Sequence, residues 1–326
     1  MVANLVSMLN HNGKKGDAIY IPAPQRGQAN AKAAGTAVTL QYANELSNRV
    51  VIDKHYEYSR LIEDIVSVQA LPSLRKFYVD DAGYQLAVRV DRHLAMLWHY
   101  LNNGNTTPAA ANLFETAVIG SDGSTAFSGG SGGGNGAALT DTGIRRMIQT
   151  LDDNDVPQTE RFLIIPPVEK KNLLGIPRFT EQAFVGEQGA GNTIRNGLIG
   201  DVYGIPIYVT TNCPVIHVET TTTNTQLVNF STTSLSASTT DEFGLTVDFT
   251  GKTDTKWRVG SLLHRSALVL VEQMAVRTQT QYKQEYLADL MTADTVYGVG
   301  RLRDGTTESG VTTGLPTAGL AFVVPA

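Results

Sequence analysis

The strongest constraint on the fold lies between Pro72 and Gly104, where Val79, Ala82, Leu86, Val90, Leu94, Leu97 and Leu101 recur at steps of three and four. That spacing is the apolar stripe of an amphipathic helix. It predicts one helix over residues 73–103, opened at Pro72-Ser73 and closed by Asn102-Asn103-Gly104. Such a helix would be roughly 45 Å long, about two and a half times the ordinary length. With a moderately polar back carrying Asp80, Asp81, Arg89 and Arg92, it needs either a coiled-coil partner or a sheet to lie along. Strand-like sequence on both sides favours a spine on a sheet.

Before the helix, Leu5, Met8 and Leu9 fall at helical spacing in a short N-terminal arm over residues 1–16. DAIYIPAP reads as a strand, and TAVTLQY, alternating Val38, Leu40 and Tyr42, as a second. The small, polar stretch QRGQANAKAAG between them has nothing to bury, so residues 17–50 are expected to form an extended ribbon. A two-stranded ribbon is marginal alone in water, and its expected support is another protein chain. RVVIDKHYEYSRLI then reads as one strand with Ile52, Tyr56 and Tyr58 on the core phase and His55 on the polar phase.

After the helix the chain changes character. Residues 104–138 are rich in Gly, Ser, Thr, Asn and Ala, with one weak apolar patch at 113–119, and read as a connector with a hinge at 128–138. From Thr140, Ile144, Met147, Ile148 and Leu151 predict a helix that ends before Pro157. RFLIIPP is a short buried strand, Pro167 opens a helix over VEKKNLLG that Gly175 closes, and IPIYVTT is a further strand. Residues 215–257, rich in Thr and Ser, read as a β insertion or an exposed flap. SLLHRSALVLVEQ, VRTQTQYKQEY and TVYGVGRLRD supply the closing β segments.

Composition limits the chemistry. Lys and Arg number 26 against 31 Asp and Glu, a formal charge of −5, so no basic excess exists to neutralise a nucleic-acid backbone. The one cysteine, Cys213, excludes an internal disulfide framework and reads as a small buried hydrophobe. The first residues lack the marks of an export signal and no run of roughly eighteen apolar residues occurs, so neither export nor membrane spanning is expected.

One tract resembles an active site. In SGGSGGGNGAAL, Gly129-x-Ser131-x-Gly133 matches the nucleophile elbow of serine hydrolases, and Gly132-x-Gly134-x-x-Ala137 a relaxed dinucleotide fingerprint. Both chemistries need a buried strand directly before the tract, and GSDGSTAFS is no strand. The P-loop pattern is absent. Histidines give no metal spacing: His93 and His99 lie about 240° apart around a helix, and His11, His55, His217 and His264 are isolated. The carboxylate clusters Asp80-Asp81 and Asp152-Asp153-x-Asp155 lack the ligand alternation and glycine of a calcium loop. No catalytic residue, cofactor or metal is therefore assigned. A hydrolase or nucleotide-binding enzyme built on residues 128–137 stands as the rival reading, and a virion decoration or adhesin protein as another, which the long helix opposes.

The order of arm, ribbon, long helix and α/β body resembles the major capsid proteins of tailed bacteriophages, which have the Hong Kong-type capsid fold. DNDVPQTERFLIIPP, GDVYGIPIYVTTNCP, LLHRSALVLVEQMAVRTQTQY, VYGVGRLRDG and the final AGLAFVV are similar to stretches at matching places in the short-tailed podovirus group. The likeness spans nearly the whole chain in order, and is most specific from about residue 150 onward. It implies an α+β fold with an N-terminal arm, an extended loop (17–50), and a peripheral domain from 51–127 and 262–297 that contains the spine helix. It also implies an axial domain from 139–261 and 298–326. The implied role is a structural subunit of hexamers and pentamers in an icosahedral shell around double-stranded DNA, with a scaffolding protein, a portal and decoration proteins as partners and only weak contact with DNA. A nanocompartment shell of the same fold is the variant reading.

Some relatives weld subunits through a Lys–Asn isopeptide bond. Lys32 is the only lysine in the ribbon, and with no partner assignable the expectation is non-covalent assembly. Gln25, Arg26, Gln28 and Lys32 at the ribbon tip, and Glu63 and Asp64 near the spine, are the expected inter-subunit contacts. Gly130, Gly132 and Gly134 are the expected hinge.

Overall fold

The long helix forms. Helix α1 (Leu74–Met96) continues as a 3-10 turn over Leu97–Tyr100, on a stripe where Ala82, Leu86 and Leu94 are fully covered. The structure, a computed structural model, describes residues 1–13, 15–23, 29–38, 40, 46–64, 74–101, 118–127, 136–177, 201–219, 226–240, 246–303, 307–308, 311–312 and 318–326. Among these, no helix is long and apolar enough to cross a membrane.

The first half of α1 lies on a four-stranded sheet made of β1 (Ser7–Asn10), β4 (Lys54–Glu63), β13 (Leu268–Lys283) and β14 (Ala288–Arg301), in the order β1-β13-β14-β4. Ala82 and Leu86 meet Met291 and Ala293 of β14, with Tyr56, Tyr58 and Tyr78 packed around them. The rings follow from period two: Tyr56 and Tyr58 sit on the covered face of β4, while His55 and Glu57 point out. β1 pairs in parallel with β13, Ser7 to Val269 and Asn10 to Glu272. The helical spacing of Leu5, Met8 and Leu9 is thus not realised. Val2 to Leu5 make one 3-10 turn, and Met8 and Leu9 stay exposed on the strand.

The end of α1 and the 3-10 turn after it enter a larger core. Leu94, Ala95, Trp98 and Leu101 share it with Leu268, Leu270 and Tyr297 of the four-stranded sheet and with Leu262, Leu263 and Phe322 of a seven-stranded sheet. Its strands are β5 (Arg161–Ile165), β6 (Asp201–Val202), β7 (Ile205–Val209), β8 (Val215–Glu219), β9 (Gln226–Asn229), β12 (Asp254–His264) and β17 (Gly319–Pro325). They run β6-β7-β5-β12-β8-β9, with β17 along the other side of β12. Helix α2 (Asp141–Asp153) is capped by Thr140, whose Oγ1 accepts from the Gly143 N–H at 3.2 Å, and buries Ile144, Met147 and Leu151. The stripe is the one the sequence predicts, and the Thr140 side chain supplies the cap. Helix α3 (Pro167–Leu174) follows with Pro at its start. Each fully buried Leu, Ile or Phe in this core contributes about 1.5–3 kcal/mol.

Several expected elements differ. The strand over 49–62 is two, β3 (Leu46–Val51) and β4, parted at Ile52-Asp53. The ribbon pairs β2 (Ala18–Ala23) with β3, not with 36–42, of which the described residues form no strand. SLLHRSALVLVEQ breaks at a turn from His264 to Ala267 into β12 and β13. In the expected connector, Val118 and Phe127 are buried and Ile119 bridges to Ala126 and Phe322. Residues 215–219, expected in an insertion, are a fully buried inner strand. Beyond them β10 (Ser238–Thr240) and β11 (Thr246–Asp248) form a small hairpin, with Leu227, Val247 and Phe249 as a satellite core. β15 (Thr307–Glu308) and β16 (Val311–Thr312) form another.

The ribbon is also not left to another chain for support. Val50 and Ile52, with Ile19 and Ile21, pack on Val269 and Val271, on the sheet face opposite α1. The close approach requires glycine. A Cβ at Gly298 would lie 2.5 Å from the Val51 carbonyl oxygen, and one at Gly300 2.7 Å from Val50 Cγ2.

Gly298→Ala is expected to lower stability by roughly 1–3 kcal/mol through overpacking. Gly83→Ala, on the exposed side of α1 with nothing within 4 Å, should raise it by about 0.5–1 kcal/mol. Urea midpoints check both, and equal midpoints would remove the argument. A second prediction concerns pH. His93, 8% exposed, sits between Tyr56 Oη (3.2 Å) and Tyr297 Oη (2.7 Å), and burial holds its pKa down to about 4. The unfolded chain takes up this proton near 6.5, the folded protein only near 4, so His93 lowers stability as pH falls across that window. Burial raises the pKa of Asp91 and Glu169, which works in the opposite sense. Wild type should therefore lose up to about 3 kcal/mol relative to His93→Gln between pH 7 and 4. Urea titrations at each pH measure the difference, and a constant difference contradicts it.

Candidate functional site

The chemically notable side chains are buried and committed to structure. Cys213 is wholly buried beside Arg258, and burial pushes its thiol up to about 12, far from a nucleophile. His217 is equally buried, with Nδ1 3.0 Å from Asp254 and Nε2 3.0 Å from the Ser231 carbonyl, and ties β8 to the turn after β9. Asp254 also accepts from the Leu235 N–H at 2.8 Å. Glu169 accepts from the Leu139 N–H at 2.7 Å, holding α3 to the segment before α2. Asp91 of α1 accepts from the Ala3 N–H at 3.1 Å and so anchors the first residues of the chain. Among the described residues no group of His, Cys, Asp and Glu is arranged to hold a metal ion.

What projects is of another kind. From the ribbon base, residues 29–38 and 40 extend as an exposed segment. Lys32 lies there, with Val38 at 64% and Leu40 at 73% exposure. One turn shapes it: the Thr36 N–H and Oγ1 both reach the Ala33 carbonyl, with Gly35 at φ 79°. Gln25, Arg26 and Gln28, expected beside Lys32, lie outside the described residues. So do Ser131 and the hinge glycines Gly130, Gly132 and Gly134.

At the far end of the four-stranded sheet, β13 and β14 meet in the turn Gln284–Leu287. Tyr286 and Leu287 stand 63% and 66% exposed, and Leu287 holds φ 45°, a left-handed conformation that costs a side-chain-bearing residue about 1 kcal/mol or more. Glu63 and Asp64 end β4 next to this tip: the Asp64 N–H donates to the Leu287 carbonyl at 3.1 Å, and Tyr282 Oη donates to Asp64 Oδ2 at 2.8 Å. Asp64 is therefore engaged within its own chain, and the acidic pair is joined to exposed Tyr282, Tyr286 and Leu287. The sequence reading found the acids and missed the aromatic tip, because KQEYLAD looks like any polar turn until β13 and β14 are known to pair. On the next sheet face outward, Asp294 accepts from Arg277 at 2.8 and 2.9 Å and meets His55 at 3.2 Å. Arg277 first, then His55, hold the Asp294 carboxyl below its ordinary range.

These features, an exposed ribbon and a tyrosine-rich hairpin tip at opposite ends of one sheet, suit contacts between proteins better than chemistry on a small molecule.

No family model matches the sequence, and no curated protein does. Solved structures do. The capsid structure of cyanophage P-SCSP1u is similar over 98% of this chain and 86% of its own, with TM-score 0.63 and 16% identity. The mature capsid of bacteriophage PhiM1 is similar over 99% and 86%, with TM-score 0.62 and 15% identity. A structure from Mycobacterium phage Che8 is similar over 99% and 90%, with TM-score 0.60 and 18% identity. Identity this low speaks for shared architecture, and on that ground the chain has the α+β, Hong Kong-type fold of phage capsid structures.

Proposed function

We propose that this chain is the structural subunit of a tailed-phage shell, assembling into hexamers and pentamers of an icosahedral capsid around double-stranded DNA. The observation that carries the reading is the extent of the likeness, 98–99% of the chain against phage capsid structures. A separate catalytic body would have to be made from almost nothing. The exposed ribbon, set on its own sheet through Gly298 and Gly300, supports the same reading.

In this reading the four-stranded sheet and first half of α1 form the peripheral domain, and the seven-stranded sheet the axial one. The peripheral domain takes residues 51–127 and 262–297, and the axial domain 139–261 and 298–326. The tract at 128–138 serves as the hinge between them. Arg26 and Lys32 pair with Glu63 and Asp64 of a neighbouring copy, without covalent links. A scaffolding protein, a portal and decoration proteins complete the partners, and the protein resides in the virion. With a formal charge of −5, its contact with packaged DNA is weak, sequence-independent and salt-sensitive. The assignment to the short-tailed group rests on the sequence stretches alone.

Expressed alone or with a scaffold, the chain should form megadalton shells or ring-shaped capsomers, seen by light scattering and electron microscopy. A stable monomer overturns the proposal, and particles filled with protein instead of DNA would redirect it to a nanocompartment. Charge reversal at Arg26 or Lys32 should lower particle yield and leave the subunit's unfolding midpoint in place; normal shells from both would count against the rim pairing. Shortening the glycine tract should change shell diameter or yield.

A further inference from the structure

Where the two sheets meet, the surface carries an open pocket of about 360 Å³, lined by Ser7, Met8, Glu160, His264, Arg265 and Ser266. It is built from the start of β1, the residue before β5, and the turn that passes β12 into β13. Main-chain bonds fix these segments to one another. The Arg265 N–H donates to the Glu160 carbonyl at 3.1 Å, and the Ser7 N–H and Oγ both donate to the Arg265 carbonyl at 3.1 Å. Glu160 holds φ 55°, a left-handed conformation that costs a residue with a side chain about 1 kcal/mol or more. Nothing in the shell reading calls for a pocket here.

The pocket holds donors that the fold does not use. His264 is 7% exposed, and its Nδ1 lies 3.1 Å from the Ser266 backbone nitrogen and 2.8 Å from Ser266 Oγ. A ring nitrogen that accepts from a backbone N–H carries no proton, so the hydrogen of the neutral ring is on Nε2. That N–H has no acceptor among the described residues. Arg265 gives only Nη1 to Glu160, at 3.2 Å, which leaves its Nε and Nη2 without a protein acceptor among the described residues. Arg303 and Arg161 act on the same histidine. With burial as the first cause, they hold the His264 pKa below its ordinary value, against the opposing effect of Glu160. A neutral ring and an exposed guanidinium are therefore set side by side as donors, with Glu160 the one carboxylate that lines the pocket.

We propose that this pocket binds the phosphate group of a small phosphomonoester, with the Arg265 guanidinium and the His264 Nε2–H as its donors. A phosphomonoester carries about two negative charges at neutral pH and three acceptor oxygens, so it can take the guanidinium fork and the imidazole proton together. A carboxylate is a poorer match, and the one already present, Glu160, meets Arg265 through a single bond. Glu160 is 54% exposed along its side chain and can turn into water as the phosphate enters. The volume is that of a small-ligand site and leaves room for the group that bears the phosphate, against Met8, which is 56% exposed. Nucleic acid is the weaker candidate, because a formal charge of −5 repels a polyanion as a whole. A ligand held here touches both sheets at their seam, and because it binds only the folded chain it raises stability.

The test uses the full chain at low ionic strength, with inorganic phosphate, adenosine 5′-monophosphate and a duplex oligonucleotide as probes, read by titration calorimetry and by the thermal midpoint. Wild type should bind the monophosphate, and its midpoint should rise with ligand concentration. Arg265→Gln should weaken binding about ten- to a hundredfold, the factor for a hydrogen bond to a charged group. Glu160→Gln removes the competing carboxylate and should strengthen binding by up to about fivefold, the size of one exposed charge contact. A gain of affinity cannot come from a damaged fold, so this second variant keeps the outcome clear if the first is unstable. Wild type that binds neither phosphate nor the monophosphate at millimolar concentration overturns the proposal. Equal affinity in wild type and both variants places the ligand elsewhere and overturns it too. A duplex bound more tightly than the monophosphate, and weakened by Arg265→Gln, overturns the choice of a small ligand.

Discussion

Leu86 and Leu94 lie eight residues apart on one stripe of α1, about 12 Å along its axis, and they are buried in different cores. Leu86 meets Met291 and Ala293 of the four-stranded sheet, while Leu94 joins the main core, in which Leu268, Leu270 and Tyr297 of that same sheet meet Leu262, Leu263 and Phe322 of the seven-stranded one. The two sheets thus share one core around the end of the helix, and neither could be displaced without opening it. The other ties act at the same junction. The turn at His264–Ala267 passes β12 directly into β13, and Asp91 binds the Ala3 N–H beside the point where the helix changes cores. Two sheets joined by a shared core, a tight turn and an anchored N-terminus are held as one unit.

Because Gly298 and Gly300 allow β3 to lie directly on the sheet, the ribbon is seated by the Val51 backbone over Gly298 and by the Val50 side chain over Gly300. Residues 29–38 are exposed throughout, shaped by the Ala33–Thr36 turn. Root and outer part thus differ in kind, one packed and the other exposed. The same division holds at the other end of the sheet. There Asp64 and Tyr282 clamp the β13–β14 tip from within, while Tyr286 and Leu287 remain on the surface.

Much of the plate was legible in the sequence, and the reasons separate what was read from what was not. Helices α1 and α2 carry long apolar stripes, and β5 and β17 are short apolar runs between turn signals. Local information suffices there. The arm misled because three apolar residues fit either period: Leu5, Met8 and Leu9 have helical spacing, but β13 offers its edge and the strand wins. The break at His264–Ala267 was hidden because HRSA contains neither Gly nor Pro, and the division at Ile52-Asp53 because alternation continues through it. Val118, Ile119 and Phe127 were lost in a connector composition, though they touch β17 or its neighbours. Of the expected contacts, Lys32, Glu63 and Asp64 lie on exposed segments. The tyrosine tip and the free edge of β13 could not be read, because both are properties of which strand lies beside which.

That last point bears on what the edge of β13 costs the folded chain. Thr278, Gln279, Thr280 and Gln281 have hydrated side chains, so a strand laid along them would gain main-chain hydrogen bonds but little apolar burial, and a net contribution of about 1 kcal/mol per bond is offset by the entropy of ordering the strand. An apolar edge would bind in any pairing and aggregate. The polar sequence beyond Glu272, where β1 stops covering the strand, therefore keeps that side of the sheet from becoming a sticky surface.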